Sequence, residues 1–335
     1  MIIFDGIRTA ADKEHSLRAE VAALRESGTT IAIGAVVFSE DAGSQLYTRL
    51  KREAAARVGI TYIPHQFSIT DSLSAISAQI QTLNKDAKIT GIIIQKPTKR
   101  IWQAAFDQAN RHTLTAESGT FLHESPEEGS RSESNNEKKE VRDHSVDSAG
   151  FATWWNTLTA QIDPKKDVDG LHPSTLAAIA AGTWQEQGRV LPATCQAALE
   201  IMELAATVVE DSATGKVLIV GKSDLLGIPL YGVLKSQGRE VELLKRKDLE
   251  ERVALGQWLI DGAVVVSATG VQGLIGSEMV RDGVVLIDVG EPKADVNFNA
   301  IAAKAAFLTP VPGGVGPMTV VCLLENAVKL CKFIP

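Results

Sequence analysis

The 335-residue chain is poor in three things, and each shortage excludes a class of protein. Cysteine is the first. Only Cys195, Cys322 and Cys331 occur, an odd number in no metal-ligand spacing, so neither a disulfide framework nor a cysteine-held metal is expected. Long apolar runs are the second. A membrane span needs roughly 20 consecutive apolar residues, and the longest candidates here, such as Ile31 to Phe38, are the size of a strand. Positive charge is the third. Lys and Arg total 34 against 41 Asp and Glu, a net charge of -7. That argues against nucleic-acid binding through phosphate neutralisation and against a basic membrane-surface helix. Met1 to Lys13 carries Asp5 and Asp12 and lacks the basic-then-apolar pattern of a leader. The expectation is a metal-free protein of the reducing cytoplasm, with neither membrane nor nucleic acid as partner.

What is there suits a globular protein with a real core: 44% hydrophobic and 22% charged residues, at a length that favours about two domains. Leu17, Val21 and Leu24 have helical spacing, and Thr30 to Phe38 is a β-branched, apolar run. Gln45 to Val58 reads as a helix with Leu46, Leu50 and Ala54 as its buried stripe. Ile60–Ile63 reads as a strand, Leu73–Leu83 as a helix and Ile89–Gln95 as a buried strand. Strands separated by helices imply a parallel sheet with crossovers. From Glu117 to Gly150 the periodicity stops, and nine acidic face four basic residues between Glu117 and Asp147. Such a stretch buries too little surface to offset its ordering entropy, so residues 117–150 read as a disordered surface insertion. Periodicity returns near Phe151.

A second α/β stretch starts near Lys216, with strands at Val217–Val220, Val241–Leu244, Ala263–Ser267 and Val284–Val289. The first ends in Gly221-Lys222-Ser223-Asp224-Leu225-Leu226-Gly227-Ile228-Pro229, a glycine-containing turn into a helix with Pro229 near its first turn. Such a turn aims backbone N–H groups and the positive end of the helix dipole at an anion, typically a pyrophosphate. The next strand ends in Lys245-Arg246-Lys247, where a dinucleotide fold usually carries an acid for the ribose. Cations there suit a 2′-phosphate, so NADP is expected over NAD, with Arg246 and Lys222 as candidate phosphate ligands. Ser267-Ala268-Thr269-Gly270 and Asp288-Val289-Gly290 put small residues just after successive strands, where a cofactor crosses the sheet edge.

In the first half, Tyr47 and Lys51 are four apart on one helix face. Gln95 ends a strand at its carboxyl end, where ligands of α/β folds gather. Asp167-Val168-Asp169-Gly170 is a turn holding two carboxylates. Pro310-Val311-Pro312-Gly313-Gly314-Val315-Gly316-Pro317 is too rich in Gly and Pro for a regular element, and the final helix is expected from Thr319 to Lys332.

Together these segments resemble the bifunctional methylenetetrahydrofolate dehydrogenase/cyclohydrolase family. The carriers are Thr309 to Thr319, Lys166 to Gly170, the Tyr-x-x-x-Lys helix and the Gly-x-Ser-x-x-x-Gly-x-Pro turn. The resemblance spans the chain outside the insertion. Departures are Lys96-Pro97-Thr98-Lys99, where Leu-Pro-Leu-Pro is usual, Thr175 for Asn, Pro192-Ala193-Thr194-Cys195 for Pro-Cys-Thr-Pro, and Lys222 for Arg.

The resemblance implies oxidation of 5,10-methylenetetrahydrofolate by NADP, then hydrolysis of the methenyl cation to 10-formyltetrahydrofolate. By position it makes Lys51 the catalytic lysine, Gln95 its partner, Asp169 the pterin anchor and Tyr47 the stacking ring. Pro312, Gly313 and Gly314 would border the substrate. Gly221, Lys222, Ser223, Gly227, Arg246, Thr269 and Gly270 would hold the cofactor. It implies a homodimer formed through the nucleotide domains. The expected architecture is a two-domain α/β fold: residues 1–185 bind tetrahydrofolate derivatives, 186–308 form a Rossmann-like NADP domain, and 309–335 return to the first domain. An enzyme with one of the two activities, or a non-catalytic NADP- or folate-binding protein docking through the acidic insertion, are the alternatives.

Overall fold

The computed structural model describes residues 1–117, 144–290 and 293–333. The chain opens with strand β1 (Ile2–Ile3) and helix α1 (Gly6–Glu26), whose first turn is capped by the Asp5 carboxylate. Strand β2 (Ala32–Phe38) leads to α2 (Ala42–Val58), started by Asp41 accepting the Ser44 N–H and stopped by Gly59 in the left-handed region. Then follow β3 (Thr61–Phe67), α3 (Leu73–Lys85) behind its Ser72 cap, and β4 (Gly91–Ile94). Helices α4 (Lys99–Glu117), α5 (His144–Thr159), α6 (Pro173–Ala180), α7 (Ala193–Ala206) and α8 (Glu210–Thr214) lead to the second half. There β5 (Val217–Val220), α9 (Gly227–Ser236), β6 (Val241–Leu244), α10 (Arg246–Ala254), β7 (Val264–Ser267), β8 (Val285–Asp288), α11 (Phe298–Ala302) and β9 (Phe307–Leu308) alternate. The long helix α12 (Val315–Phe333) ends the described chain.

The strands form two all-parallel sheets, one of three strands in the order β3-β2-β4 and one of six in the order β1-β9-β8-β7-β5-β6. The central strands β2, β4, β5, β7 and β8 are buried almost throughout, which is why they read as continuous apolar runs rather than alternating ones. One apolar cluster is shared between the halves: α1, β2 and α2 meet α7, α12 and a face of β5, β7 and β8. A second cluster packs β2 and β4 against α3 and α5, with Trp102, Trp154 and Trp155 at its rim. The third covers the other face of the six-stranded sheet.

Three expectations are corrected here. Leu46 and Leu50 are 44% and 39% exposed, and the buried face of α2 is Ser44, Lys51, Ala54, Ala55 and Val58. Both faces of this short helix carry apolar residues, so spacing alone selects neither. The Gly- and Pro-rich tail is helical from Val315, four residues before Thr319, because Gly316 and Pro317 fall in a first turn that needs few internal N–H donors. Finally, helix resumes at His144, ahead of Phe151. The rest of the expected insertion, residues 118–143, lies outside the described residues.

Candidate active site

The segment Lys166–Val168 runs beside β4 as a short extra strand: Ile92 bridges Asp167, and the Ile92 N–H donates to the Lys166 carbonyl at 2.6 Å. That registry carries Asp169 to the same carboxyl end as Gln95, which follows β4. The turn is tight enough to demand glycine, since a Cβ on Gly170 (φ +64) would lie 2.7 Å from the Leu191 and Pro192 backbone. The two aspartates divide their tasks. Asp167 is buried and accepts the N–H groups of Leu171 (3.2 Å) and His172 (2.8 Å), holding the turn closed. Asp169 lies by the start of α7, where the Ala193 N–H favours its charged form.

Lys51 projects from the buried face of α2, is 5% exposed, and donates from Nζ to Gln95 Oε1 at 2.9 Å. Burial lowers its pKa and the Asp169 charge partly restores it. Asp169 is pushed up to about 6 by burial, against the pull of Lys51 and with the help of the Asp167 and Asp224 charges. Lys51, Gln95 and Asp169, from a helix, a strand end and a turn, thus form one electrostatic group.

Above them lies a cleft of about 760 Å³ between α1, α2, the turn after β4 and the loop before α12. Tyr47, Leu46 and Leu50 line one wall, and Ile7, Pro312 and Gly313 another. The two leucines that leave the core are therefore the apolar wall of this cleft. Gly313 (φ +99) faces it, whereas Gly314 sits behind, where a Cβ would lie 2.5 Å from the Pro310 carbonyl oxygen. The cleft suits a flat, largely apolar ligand with a polar head near Asp169.

The nucleotide turn lies at the carboxyl edge of the six-stranded sheet. Gly221 (φ +118) passes so close to β7 that a Cβ would lie 2.3 Å from the Ala268 carbonyl oxygen. At Gly227 a Cβ would lie 1.9 Å from the Gly221 carbonyl oxygen. The Ser223 hydroxyl accepts the Leu226 N–H, and Leu226, which caps α9, offers no side-chain oxygen to the helix. The Ile228 N–H is likewise given to the Ser223 carbonyl at 2.9 Å and Pro229 has no N–H, so the turn itself, more than the end of α9, is left to meet an anion. Lys222 is exposed beside it, and a side chain on Gly270 would meet open space. Arg246 is not in β6, which stops at Leu244, but opens α10; it is 79% exposed and paired with Glu250 at 3.0 Å. The Thr269 N–H is committed to Asp295 at 2.6 Å. These features fit a dinucleotide with a basic rim for an extra phosphate.

Several contributors carry no motif in the sequence. Asp41 both caps α2 and accepts the Thr98 N–H at 2.9 Å, tying the turn after Gln95 to the helix of Lys51. A helix-cap pattern was its only signal. Buried Asp288 and Asp295 hold the turns after β7 and β8 through backbone N–H groups and the Ser267 hydroxyl. Among the described residues, Glu200, Cys322 and Glu325 converge as metal ligands would. The Lys13 ammonium stands between the two glutamates, 2.6 Å and 2.9 Å from their oxygens, and supplies the positive charge.

Two family models match the chain: the catalytic domain of tetrahydrofolate dehydrogenase/cyclohydrolase over residues 4–110 and its NAD(P)-binding domain over 192–334. Among curated relatives, the bifunctional protein FolD of Nautilia profundicola is 27% identical, covering 99% of this chain and 98% of its own. FolD of Lactobacillus acidophilus is 28% identical, covering 98% and 97%. Among solved structures, bifunctional FolD from Campylobacter jejuni superposes with a TM-score of 0.74 at 25% identity, covering 99% of each chain. Trypanosoma brucei FolD, solved with NADP and an inhibitor, has the same fold, with a TM-score of 0.74 at 23% identity and 99% and 97% coverage.

Proposed function

Since the chain belongs to the tetrahydrofolate dehydrogenase/cyclohydrolase family, we propose that it oxidises 5,10-methylenetetrahydrofolate with NADP and hydrolyses the resulting methenyl cation to 10-formyltetrahydrofolate. The observation that carries this reading is the buried Lys51–Gln95 pair, with Asp169 beside it, at a cleft of about 760 Å³ walled by Tyr47, Leu46 and Leu50.

When bound, NADP supplies the hydride acceptor. The protein's part in oxidation is placement, because the carbocation left by hydride loss is already stabilised by two adjacent nitrogens. Tyr47 provides a ring against which the folate stacks, and the Leu46 and Leu50 wall excludes water from its apolar body. Asp169 offers two carboxylate oxygens to paired N–H donors on the pterin edge, a charge-assisted arrangement. Pro312 and Gly313 border the same pocket. Gly221, Ser223 and Gly227 shape the turn that takes the pyrophosphate, while Lys222 and Arg246 supply charge for the 2′-phosphate. Thr269 and Gly270 border the cofactor farther along the sheet edge.

In hydrolysis, water attacks the cationic carbon and loses a proton. A lysine serves as base only if its amine is available neutral, and the burial of Lys51 pushes it in that direction. Gln95 holds the Lys51 amine at a fixed point. The net change adds water to the methenyl carbon, opens one C–N bond and releases one proton.

The same reading makes the enzyme a cytoplasmic homodimer joined through its nucleotide domains. In support, β6 leaves the six-stranded sheet with an open edge in that domain, and no described helix is long and apolar enough to cross a membrane. Light scattering on the purified protein tests the dimer. The decisive assay mixes protein, methylenetetrahydrofolate and NADP and follows the methenyl absorbance. Turnover is expected; its absence with folded protein would remove the proposal.

A further inference from the structure

The first half of the chain carries the Lys51 group, and the second carries the nucleotide turn. An ion pair ties the nucleotide turn directly to the segment after Gln95. Lys96, the residue after Gln95, places its ammonium 2.6 Å and 2.7 Å from the two carboxylate oxygens of Asp224, inside the nucleotide turn. The Trp155 indole N–H donates to the same carboxylate at 2.9 Å. The ammonium also sits 4.8 Å from the centre of the Trp155 ring and 5.9 Å from that of Phe151. The two charged side chains are only 20% and 23% exposed, so solvent screens the pair weakly.

Both ends are anchored. On one side the Ser44 hydroxyl donates to the Lys96 carbonyl and Asp41 holds Thr98, so Lys96 is fixed to the helix that bears Lys51. On the other, Leu225 packs into the apolar cluster of the first sheet, and Ser223 ties Leu226 and Ile228 into the turn. A displacement of Asp224 therefore moves the segment on which a pyrophosphate would rest.

We propose that the Lys96–Asp224 pair sets the register of the nucleotide turn against the Lys51–Gln95 end of the cleft, and so controls hydride transfer while leaving hydrolysis alone. The inference rests on the folate-enzyme reading. Hydride transfer needs two ligands, one on each half, at near-contact distance, and a displacement of about 1 Å costs up to roughly a hundredfold in rate. Hydrolysis uses one ligand, in the cleft formed by the first half and the loop before α12, and needs no alignment with the nucleotide turn. A contact between the halves is therefore selective for the first step. Lys96 and Asp224 act as positioning residues.

The test compares wild type with Lys96→Met, Asp224→Asn and Lys96→Arg in three measurements. NADP-dependent oxidation is followed with protiated and methylene-deuterated substrate. Hydrolysis is followed with methenyltetrahydrofolate supplied directly. Amide hydrogen exchange is read at Leu226 and Ile228. Lys96→Met and Asp224→Asn are expected to lose about tenfold or more in oxidation kcat with a larger isotope effect, while hydrolysis kcat at saturating substrate and pH 8, where Asp169 is ionised with or without the Asp224 charge, changes by less than about twofold. Exchange at Leu226 and Ile228 accelerates while β5 amides keep their protection, and Lys96→Arg restores oxidation. Parallel loss of both activities, unchanged oxidation, or unchanged exchange in the turn would overturn the proposal. Wild type that oxidises no folate would sink the enzyme reading instead, and exchange would still decide whether the pair holds the turn.

Discussion

Asn326, buried in the middle of α12, donates from its side-chain amide to the Val168 carbonyl at 3.0 Å, directly before Asp169. The second N–H of the same amide goes to the Leu191 carbonyl at 2.9 Å, near the start of α7. One side chain from the last helix thus braces the backbone on either side of the Asp169 turn.

Asn326→Leu removes both donors and strands two buried carbonyls. The expected cost is about 1–3 kcal/mol in urea unfolding. Because Asp169 loses its brace, KM for the folate rises while KM for NADP stays put. Equal effects on both would show that the brace serves the fold alone.

Lys51→Met keeps the bulk of the chain and removes the amine. Cyclohydrolase activity is expected to fall by about 10²–10⁴-fold, the usual share of a positioned base. NADP binding, read by fluorescence or calorimetry, stays at the wild-type level. Undiminished hydrolysis would remove Lys51 from its assigned role.

Asp169, at about 6, titrates within an accessible range. As the pH falls through 6 the carboxylate takes a proton and loses acceptor capacity, so KM for the folate should climb while KM for NADP does not. Asp169→Asn should show a high, pH-independent KM. The stability sign is opposite to that of a salt-bridged acid. The folded pKa lies above the ordinary 3.8, so the contribution is fully present below about 3.8 and is lost as the pH rises through about 6. Asp288, also raised to about 6 by burial, acts in the same direction. Urea midpoints of wild type against Asp169→Asn between pH 7 and 5 check this: wild type should gain relative to the variant on acidification.

Gly227→Ala places a methyl where the Gly221 carbonyl oxygen lies 1.9 Å away. The turn must open, at a cost of about 1–3 kcal/mol. The rise in Tm that NADP gives wild type should largely vanish. An alanine variant with an undiminished NADP shift would show that the turn does not hold the cofactor.

The central strands were legible because each is a short apolar run buried on both faces, whereas the edge strand β6 is half-buried and was legible from its largely apolar composition. Val217–Val220 and Val241–Leu244 have the boundaries the residues predict. The Tyr47–Lys51 spacing told that the two share a helix side but not what that side meets. In the fold Tyr47 lines the cleft, while Lys51 lies beneath it against Gln95. Leu46 and Leu50 look like core for the same reason that they serve as a cleft wall: in both places they contact apolar groups.

By itself the amino-acid order determined the α/β alternation and the glycine spacing of the turn after β5, both of which depend on near neighbours along the chain, whereas Lys51, Gln95 and Asp169 were singled out by the family resemblance. Only the tertiary structure decided which face of α2 is buried, that Lys96 answers Asp224 128 positions away, and that Asn326 reaches back 158 positions to Val168. Such pairings follow from how the helices pack on the two sheets, and local periodicity carries no information about a partner so distant along the chain.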